Sequence, residues 1–570
     1  MAAKNWKFVG QYQESDVKRI QSGHHLPHAV AVFLAARGVA AEDVPAFLSP
    51  SLENLSDPYR FPGIHDAAAR LWEAVFRQEP ILIHGDYDTD GITASALLGL
   101  TLRSNGATVH SFIPHRFDDG YGFTPESLEK ALAAHGDCKV LVTVDCGITS
   151  CDAVEKAVGM GIDVIITDHH EAGPELPKAV AIVNPKIYPE LSDLYCLSGA
   201  GAAFKLAHAF VKYGMEHQIG GDLHKLMEVL DYVALGTVAD IVPLFGENRV
   251  MVKYGIDILR KQLRPGIRAL IESCHLRNEL TPSDITFKLA PRINAAGRVG
   301  DANIALELLE SDNIVHAYQC AAELERYNRT RQDKEQEIYQ DACSQIRQNL
   351  AWQSDCALLV AGRDWHQGVI GIVASRLARD YNRPTIVLTI QGDHAYGSGR
   401  SIANLNLVEV LTKSAHLLER YGGHPMAVGI GLLTENIAPF FDEMDRNIRE
   451  QIDPSDLESF VAYDGDADLS ELDDEFYAWL DKLSPFGHSN QKPVYRFNDL
   501  KVVKCSPVGG GAHTRGIMLS RTGQIEFIAF NRPSSEFYGR VLDVLATPQL
   551  NRRSAEAPPQ LNIVDIREIY

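Results

Sequence analysis

The 570-residue chain predicts an α/β protein: a parallel sheet first, then a long connecting helix, a second smaller α/β unit and a C-terminal β-barrel. Three observations carry this reading. Apolar strand-like runs alternate with helix-compatible stretches over residues 81–184, a polar stretch with sparse apolar positions fills 311–350, and five short β-like runs follow residue 493. One hydrophobic core does not serve a chain of this length, so several domains are expected.

The first fifty residues read as short helices, HAVAVFLAARG (28–38) and EDVPAFLSP (42–50). The runs ILIHG (81–85), ATVHSFI (107–113), KVLVTVDCG (139–147), DVIITD (163–168) and AVAIVN (179–184) are continuous and β-branched. Strands buried on both faces of a parallel sheet read this way. Between them, ITASALLGLTLRSNG (92–106) and SCDAVEKAVGMG (150–161) suit crossover helices. In 311–350 the apolar positions 317, 321, 324, 338, 342 and 346 give one long helix with a narrow buried stripe, of the kind that joins domains. A second α/β pattern follows: CALLVAG (356–362), the helix GVIGIVASRLARDY (368–381), TIVLTI (385–390) and a strand at HPMAVGIGLL (424–433). VYRFNDLKVVK, TRGIMLS, IEFIAF, GRVLDVLAT and QLNIVDIREI then suit a five-stranded barrel of OB-fold type. The expected segments are 1–50 (helical), 51–265 (first α/β domain), 266–350 (connecting region), 351–455 (second α/β domain) and 456–570 (acidic linker and barrel).

Composition narrows the function classes. No apolar run reaches the roughly 18–20 residues that span a bilayer, so no membrane partner is expected. The start MAAKNWKFVGQYQESD lacks the basic-then-apolar pattern of a secretory signal. Nine cysteines without a CxxC, an odd number, argue against a disulfide framework and for a reducing, cytoplasmic setting. The formal charge of −21 is concentrated: residues 441–480 hold 14 acids against two arginines, whereas 501–570 carry a net of +3. Binding follows local potential, so net charge does not exclude a polyanion partner. The acidic stretch itself reads as a helix end and an interdomain linker.

Polar residues fall repeatedly at the carboxyl ends of the apolar runs, where open parallel sheets bind ligands. His84, Asp88 and Asp90 follow ILI, Asp145 follows LVTV, and Asp168, His169 and His170 follow VIIT. Asp240 ends a fourth apolar run, YVALGTVAD (232–240). Like charges this close raise one another's pKa unless a cation neutralises them. Carboxylate and imidazole ligands without thiolate suit Mn²⁺ or Mg²⁺ better than structural zinc. At least six such groups are enough for two ions sharing a carboxylate, the device that serves in-line attack at phosphorus with the ions about 3.5–4 Å apart. Phosphoester or phosphoanhydride hydrolysis is the chemistry expected. Asp86 reads as a turn residue, Asp168 as a helix cap or a holder of a histidine tautomer, and Cys146, one residue beyond Asp145, as pointing elsewhere.

GDYDTDG (85–91), VTVDCG (142–147), TDHHE (167–171) and GTVADIVPL (236–244) resemble the four signature segments of the DHH phosphoesterases. PRINAAGR (291–298), WHQGVIGIVASR (365–376), GSGRS (397–401) and YGGHPMAVG (421–429) are similar to the branch of single-strand-specific 5′→3′ DNA exonucleases, with a DHHA1-type second domain. The resemblance implies that Asp90, Asp145, His169 and Asp240 hold one ion and that Asp88 with bridging Asp145 holds the second. His84 is implied as a further metal ligand and His170 as a group facing substrate phosphate. Arg292, Arg298, Arg363, His366, Ser398, Arg400 and His424 are implied to grip the nucleic-acid backbone, with a structural salt bridge a nearly equal reading for Arg292 and Arg298. GSGRS and GGH place small residues beside Arg400 and His424, which lets a phosphate approach.

The barrel suits single-stranded DNA, with Arg515, Arg521, Phe527, Phe530 and Arg532 as candidate contacts. The implied activity is release of 5′-mononucleotides in DNA repair and recombination. A monomer is expected, and a single-stranded-DNA-binding protein and a helicase are implied partners. Two other readings share parts of this pattern: a DHH-family hydrolase of pyrophosphate, short oligonucleotides or cyclic dinucleotides, and a non-catalytic DNA-binding scaffold. The scaffold is disfavoured because every metal-ligand position is kept.

Overall fold

The computed structural model describes residues 5–10, 12–116, 122–276, 280–348, 354–551 and 558–569. Five strands, β1 (Ile81–Gly85), β2 (Val109–Phe112), β3 (Val140–Val144), β4 (Asp163–Thr167) and β5 (Ala181–Val183), form an all-parallel sheet in the order β2-β1-β3-β4-β5. Alternate residues feed two different cores. Ile81, Ile83, Val140, Val142 and Val144 pack on one face, and Leu82, Leu141, Val164 and Ile166 on the other. That double burial is why these strands read as unbroken apolar runs.

The first face is covered by α1 (Thr89–Ser104), α2 (Gly199–Glu216) and α3 (Leu230–Ala239). Further along the chain lies α4 (Ala290–Val299), entered through a π-helical stretch at Ile285–Leu289. The connecting helix is α5 (Ile314–Gln348), 35 residues long; residues 349–350 of the expected span lie outside those described. Its stripe divides between two cores: Ala317, Ala321 and Leu324 join the first domain, whereas Ile338, Ala342 and Ile346 join the second.

The second sheet comprises β6 (Leu358–Arg363), β7 (Thr385–Gln391), β8 (His394–Arg400), β9 (Arg420–His424) and β10 (Ala427–Leu433), in the order β9-β10-β8-β7-β6, with α6 (Gln367–Tyr381) packed on it. Only β6 and β7 run parallel. GSGRS thus ends a strand rather than forming a turn. Side chains at Gly397 and Gly399 would press into Leu388 and Val428, so these glycines also serve packing.

The barrel strands β11 (Tyr495–Val508), β12 (His513–Leu519), β13 (Gln524–Ala529), β14 (Val541–Leu550) and β15 (Pro559–Glu568) follow the order β11-β12-β13-β15-β14, and β11 closes on β14. Its core is shared with the first fifty residues. Val30, Phe33, Leu34 and Leu48 lie in one buried cluster with Phe476, Tyr495, Phe497 and Phe527. Strand Asn5–Phe8 pairs in parallel with Phe460–Tyr463. The acidic stretch is therefore not a plain linker: it holds part of helix Ile437–Arg449, strand Phe460–Tyr463 and helix Asp474–Lys482. Among the described residues no helix is long and apolar enough to cross a membrane.

Candidate metal centre and phosphate-binding cleft

The carboxyl edge of the first sheet gathers the acids. The Asp88 side chain caps α1, accepting from the amides of Asp90 (2.9 Å) and Gly91 (3.2 Å). Asp145 leaves β3 with φ +60°, a left-handed conformation that aspartate tolerates better than most residues. Asp90 accepts from Gly199 N (2.6 Å) and Ala200 N (3.0 Å), the electropositive start of α2. Two glycines bring the helices this close. A Cβ at Gly199 would stand 2.3 Å from Asp145 Oδ1, and one at Gly236 would stand 2.4 Å from Asp90 Oδ1. Gly199→Ala is accordingly expected to weaken Mn²⁺ binding by about 10–100-fold, measured by calorimetric titration; unchanged affinity would show that Asp145 has room to move.

Three groups of potential ligands form around these carboxylates: Asp90 with His169 and Asp240, Asp86 with Asp88 and Asp145, and Asp145 with His169 and His170, which shares a residue with each of the others; within each, the ligand atoms lie within 4.8 Å of one another. His169 Nε2 links the groups, 3.2 Å from Asp145 Oδ1 and 3.6 Å from Asp240 Oδ2. Burial, reinforced by Asp88, pushes the Asp86 carboxyl up to about 8 and Asp90 up to about 7. Burial together with Asp90 and Asp88 lifts Asp240 to about 9. Asp145, buried among four carboxylates, is also raised. Burial and the neighbouring His170 pull His169 down to about 3, keeping it neutral, the form that ligates metal. Oδ1 of Asp86 and Oδ1 of Asp145 are buried without a hydrogen bond among the described residues. Buried acids so placed stay protonated or take up cations, and an all-O/N donor set fits Mn²⁺ or Mg²⁺.

His170 behaves differently. Burial would lower its pKa, but the hydrogen bond and charge of Asp168 (Nδ1–Oδ1 2.8 Å), with Asp240 and Asp86 beyond, raise it to about 9. Burial in turn would raise Asp168, but His170 and the amide of Ile148 (2.9 Å) hold it below the usual carboxylate range. An imidazolium therefore faces the cleft, beside His424 of the second domain, whose ring lies 6.4 Å away.

Three arginines meet at the same cleft. Arg298 ends α4 and donates to Gly368 O (3.3 Å); burial and the charge of Arg116 bring its pKa down to about 10. Arg400 donates to Ser398 Oγ (2.9 Å) and is likewise lowered by burial and by Arg116. Arg116 lies 5.0 Å from the Tyr87 ring. His366 caps α6, its Nδ1 accepting from Gly368 N at 3.1 Å, and Arg363 is exposed at the end of β6. Mutually repelling guanidiniums facing clustered carboxylates form a cleft in which an anion and its counter-cations both gain.

Several expectations need correction. Asp240 reaches the site from the end of helix α3, not from a strand. His84 is in none of these ligand groups: its ring lies against Phe112 and Phe123, and Nε2 lies 3.0 Å from Ser127 Oγ. Asp86 does belong to the second group. Arg292 is tied to Glu325 (2.8 Å) on α5 and to Lys288 O, the structural salt bridge. Phe527 is barrel core, stacked on Phe537, and Arg532 is paired with Asp565 and Glu536. Arg515, Arg521 and Phe530 remain exposed. Cys146 turns its sulfur toward His84 O. Sequence reasoning missed Arg116, which follows strand β2 on the ligand-binding edge, and Asn294 of PRINAAGR, whose side chain accepts from Thr89 N (2.7 Å) and fixes α4 against the metal-binding turn.

The DHH family N-terminal domain matches residues 80–237, the DHHA1 domain 354–450 and the RecJ OB domain 463–565. The single-stranded-DNA-specific exonuclease RecJ of Bacillus subtilis is 34% identical, over 99% of this chain and 71% of its own length. That of Escherichia coli is 35% identical, over 86% of this chain and 89% of its own. The crystal structure of Thermus thermophilus RecJ with Mn²⁺ superposes with a TM-score of 0.82 at 28% identity, covering 99% of this chain and 80% of that one. The same protein has been solved with Mg²⁺, with a TM-score of 0.78 at 26% identity, covering 99% of this chain and 79% of that one. With three domain matches in order, relatives similar over nearly the whole chain and a cleft built for cations and phosphate, the chain belongs to the RecJ family of single-stranded-DNA-specific exonucleases.

Proposed function

We propose that this chain degrades single-stranded DNA from the 5′ end, releasing 5′-mononucleotides, in DNA repair and recombination. The observation that carries this is the juxtaposition of the carboxylate and imidazole ligand groups, joined through Asp145 and His169, with Arg116, Arg298 and Arg400. Asp90, Asp145, His169 and Asp240 would hold one divalent ion, and Asp88, Asp145 and Asp86 the second. When bound, the ions lower the pKa of an attacking water and offset charge on the leaving oxygen. His170, held as an imidazolium by Asp168, donates to a phosphate oxygen. Arg298, Arg400 and Arg116 neutralise the phosphates on the other side, while Ser398 fixes the Arg400 guanidinium. His366, Arg363 and His424 extend the same wall from the second domain. A single-stranded-DNA-binding protein and a helicase are proposed as suppliers of the strand, to a monomeric enzyme in the cytoplasm.

The test is hydrolysis of 5′-labelled and 3′-labelled single strands in Mn²⁺, beside the matched duplex. Immediate release of labelled mononucleotide from the 5′ end only is expected. Intact strands with rapid hydrolysis of pyrophosphate or dinucleotides would move the chain to a small-substrate hydrolase instead. Deleting the barrel is not a clean discriminator, because the deletion strips the shared core from Val30, Phe33 and Leu34. Salt dependence serves better. Affinity should fall linearly with salt on a log–log plot, and Arg400→Ala should reduce that slope by about 1. An unchanged slope would place Arg400 off the DNA backbone.

A further inference from the structure

We propose that Glu307, His316 and Cys320 form a further cation site, selective for a thiophilic divalent ion such as Zn²⁺ and separate from the catalytic cluster. His316 and Cys320 stand one turn apart near the start of α5, and Glu307 comes from the preceding helix, Asn303–Glu310. His316 Nε2 is 3.6 Å from Cys320 Sγ and 3.6 Å from Glu307 Oε2, and all three ligand atoms lie within 4.8 Å of one another. A tetrahedral zinc with nitrogen and oxygen at about 2.0–2.2 Å and sulfur at about 2.3 Å spaces its ligand atoms by roughly 3.3–3.6 Å. Both contacts to the imidazole match that edge length.

Weaker explanations fit less well. The Cys320–His316 contact is also a hydrogen bond, but thiols make weak ones, and an exposed Glu307–His316 pair adds little to stability. The sulfur is sheltered, with Cys320 only 5% exposed, whereas the Glu307 and His316 side chains reach solvent. An ion can therefore enter from the surface and keep one position for water. Its donor set is also chemically distinct. The catalytic groups are all carboxylate and imidazole, whereas thiolate draws zinc in preference to Mn²⁺ or Mg²⁺. On binding, the Cys320 thiol gives its proton to solvent and the thiolate ligates. The ion would clamp the first-domain end of α5 to helix Asn303–Glu310.

Co²⁺ bound to the full-length protein provides the test, because a near-ultraviolet sulfur-to-cobalt charge-transfer band requires a thiolate ligand. The band is expected in the wild type, abolished by excess Zn²⁺ and by Cys320→Ser, and retained in both Asp145→Ala and Cys146→Ser. His316→Gln, at a solvent-exposed position, should weaken Co²⁺ binding at this band by about tenfold or more. No charge-transfer band, a band that survives Cys320→Ser, or one lost with Cys146→Ser would overturn the site.

Discussion

Replacing Asp145 with alanine should abolish strand hydrolysis and, in the metal-free protein, raise the melting temperature. Asp145 belongs to two of the ligand groups, its Oδ1 buried without a hydrogen bond and 3.2 Å from His169. Its loss should lower activity by on the order of 10³-fold or more, beyond the roughly 10–100-fold that follows loss of a residue merely supporting a ligand. Stability moves the other way because these carboxyls repel one another in a dry setting. In the unfolded chain they ionise near pH 4. In the fold Asp86, Asp90 and Asp240 keep their protons to about 8, 7 and 9. Above the unfolded value the native state therefore binds more protons than the unfolded state, and stability falls as pH rises until the native carboxyls have ionised. Melting of metal-free protein should drop between about pH 5 and pH 9, and saturating Mn²⁺ should flatten the profile. A flat profile without metal, or a lower melting temperature for Asp145→Ala, would contradict the account.

Arg249→Met should produce the largest loss of stability outside the site. Arg249 is buried within helix Gly246–Lys261, with its guanidinium 4.0 Å from the Phe47 ring. It donates to Phe47 O (2.9 Å), Lys482 O (3.0 Å), Ser484 O (2.8 Å) and Pro485 O (3.5 Å). Burial lowers its pKa only to about 10, so it stays charged at neutral pH. Methionine would fill much of the volume but leave these carbonyls without a donor, at a cost of about 3–5 kcal/mol. Arg249→Lys should not restore the loss, since a point charge cannot match a planar fork. Denaturant unfolding followed by tryptophan fluorescence measures both; a loss below about 1 kcal/mol would mean water replaces the guanidinium.

The parallel sheet was legible because β-branched runs buried on both faces leave few alternatives. Asp240 was legible as a site residue but not as a helix end, since a short, wholly apolar run fits a buried helix as well as a strand. Arg292 and Arg298 share one helix, and only the position of Glu325 on α5 separates a structural tie from a cleft residue. Asp86 was undervalued because its part depends on the left-handed Asp145 swinging a carboxylate toward it from another strand. His84 failed for the converse reason: its spacing matched a ligand pattern, but its ring lies against Phe112 and Phe123. The acidic stretch misled because charge marks only its outward faces, while Phe476 on helix Asp474–Lys482 is fully buried.

The core shared by the first fifty residues and the barrel imposes an order on biosynthesis. Tyr495 donates to Ala29 O across 466 residues of sequence. At translation speeds of about 5–20 residues per second, the apolar helix His28–Ala36 waits roughly 20–90 s outside the ribosome before its partner strands are made. The parallel sheet and the second domain can fold during that interval, whereas this helix stays exposed until the barrel emerges. Chaperone engagement of the nascent chain should therefore include helix His28–Ala36 and persist until the barrel strands are released.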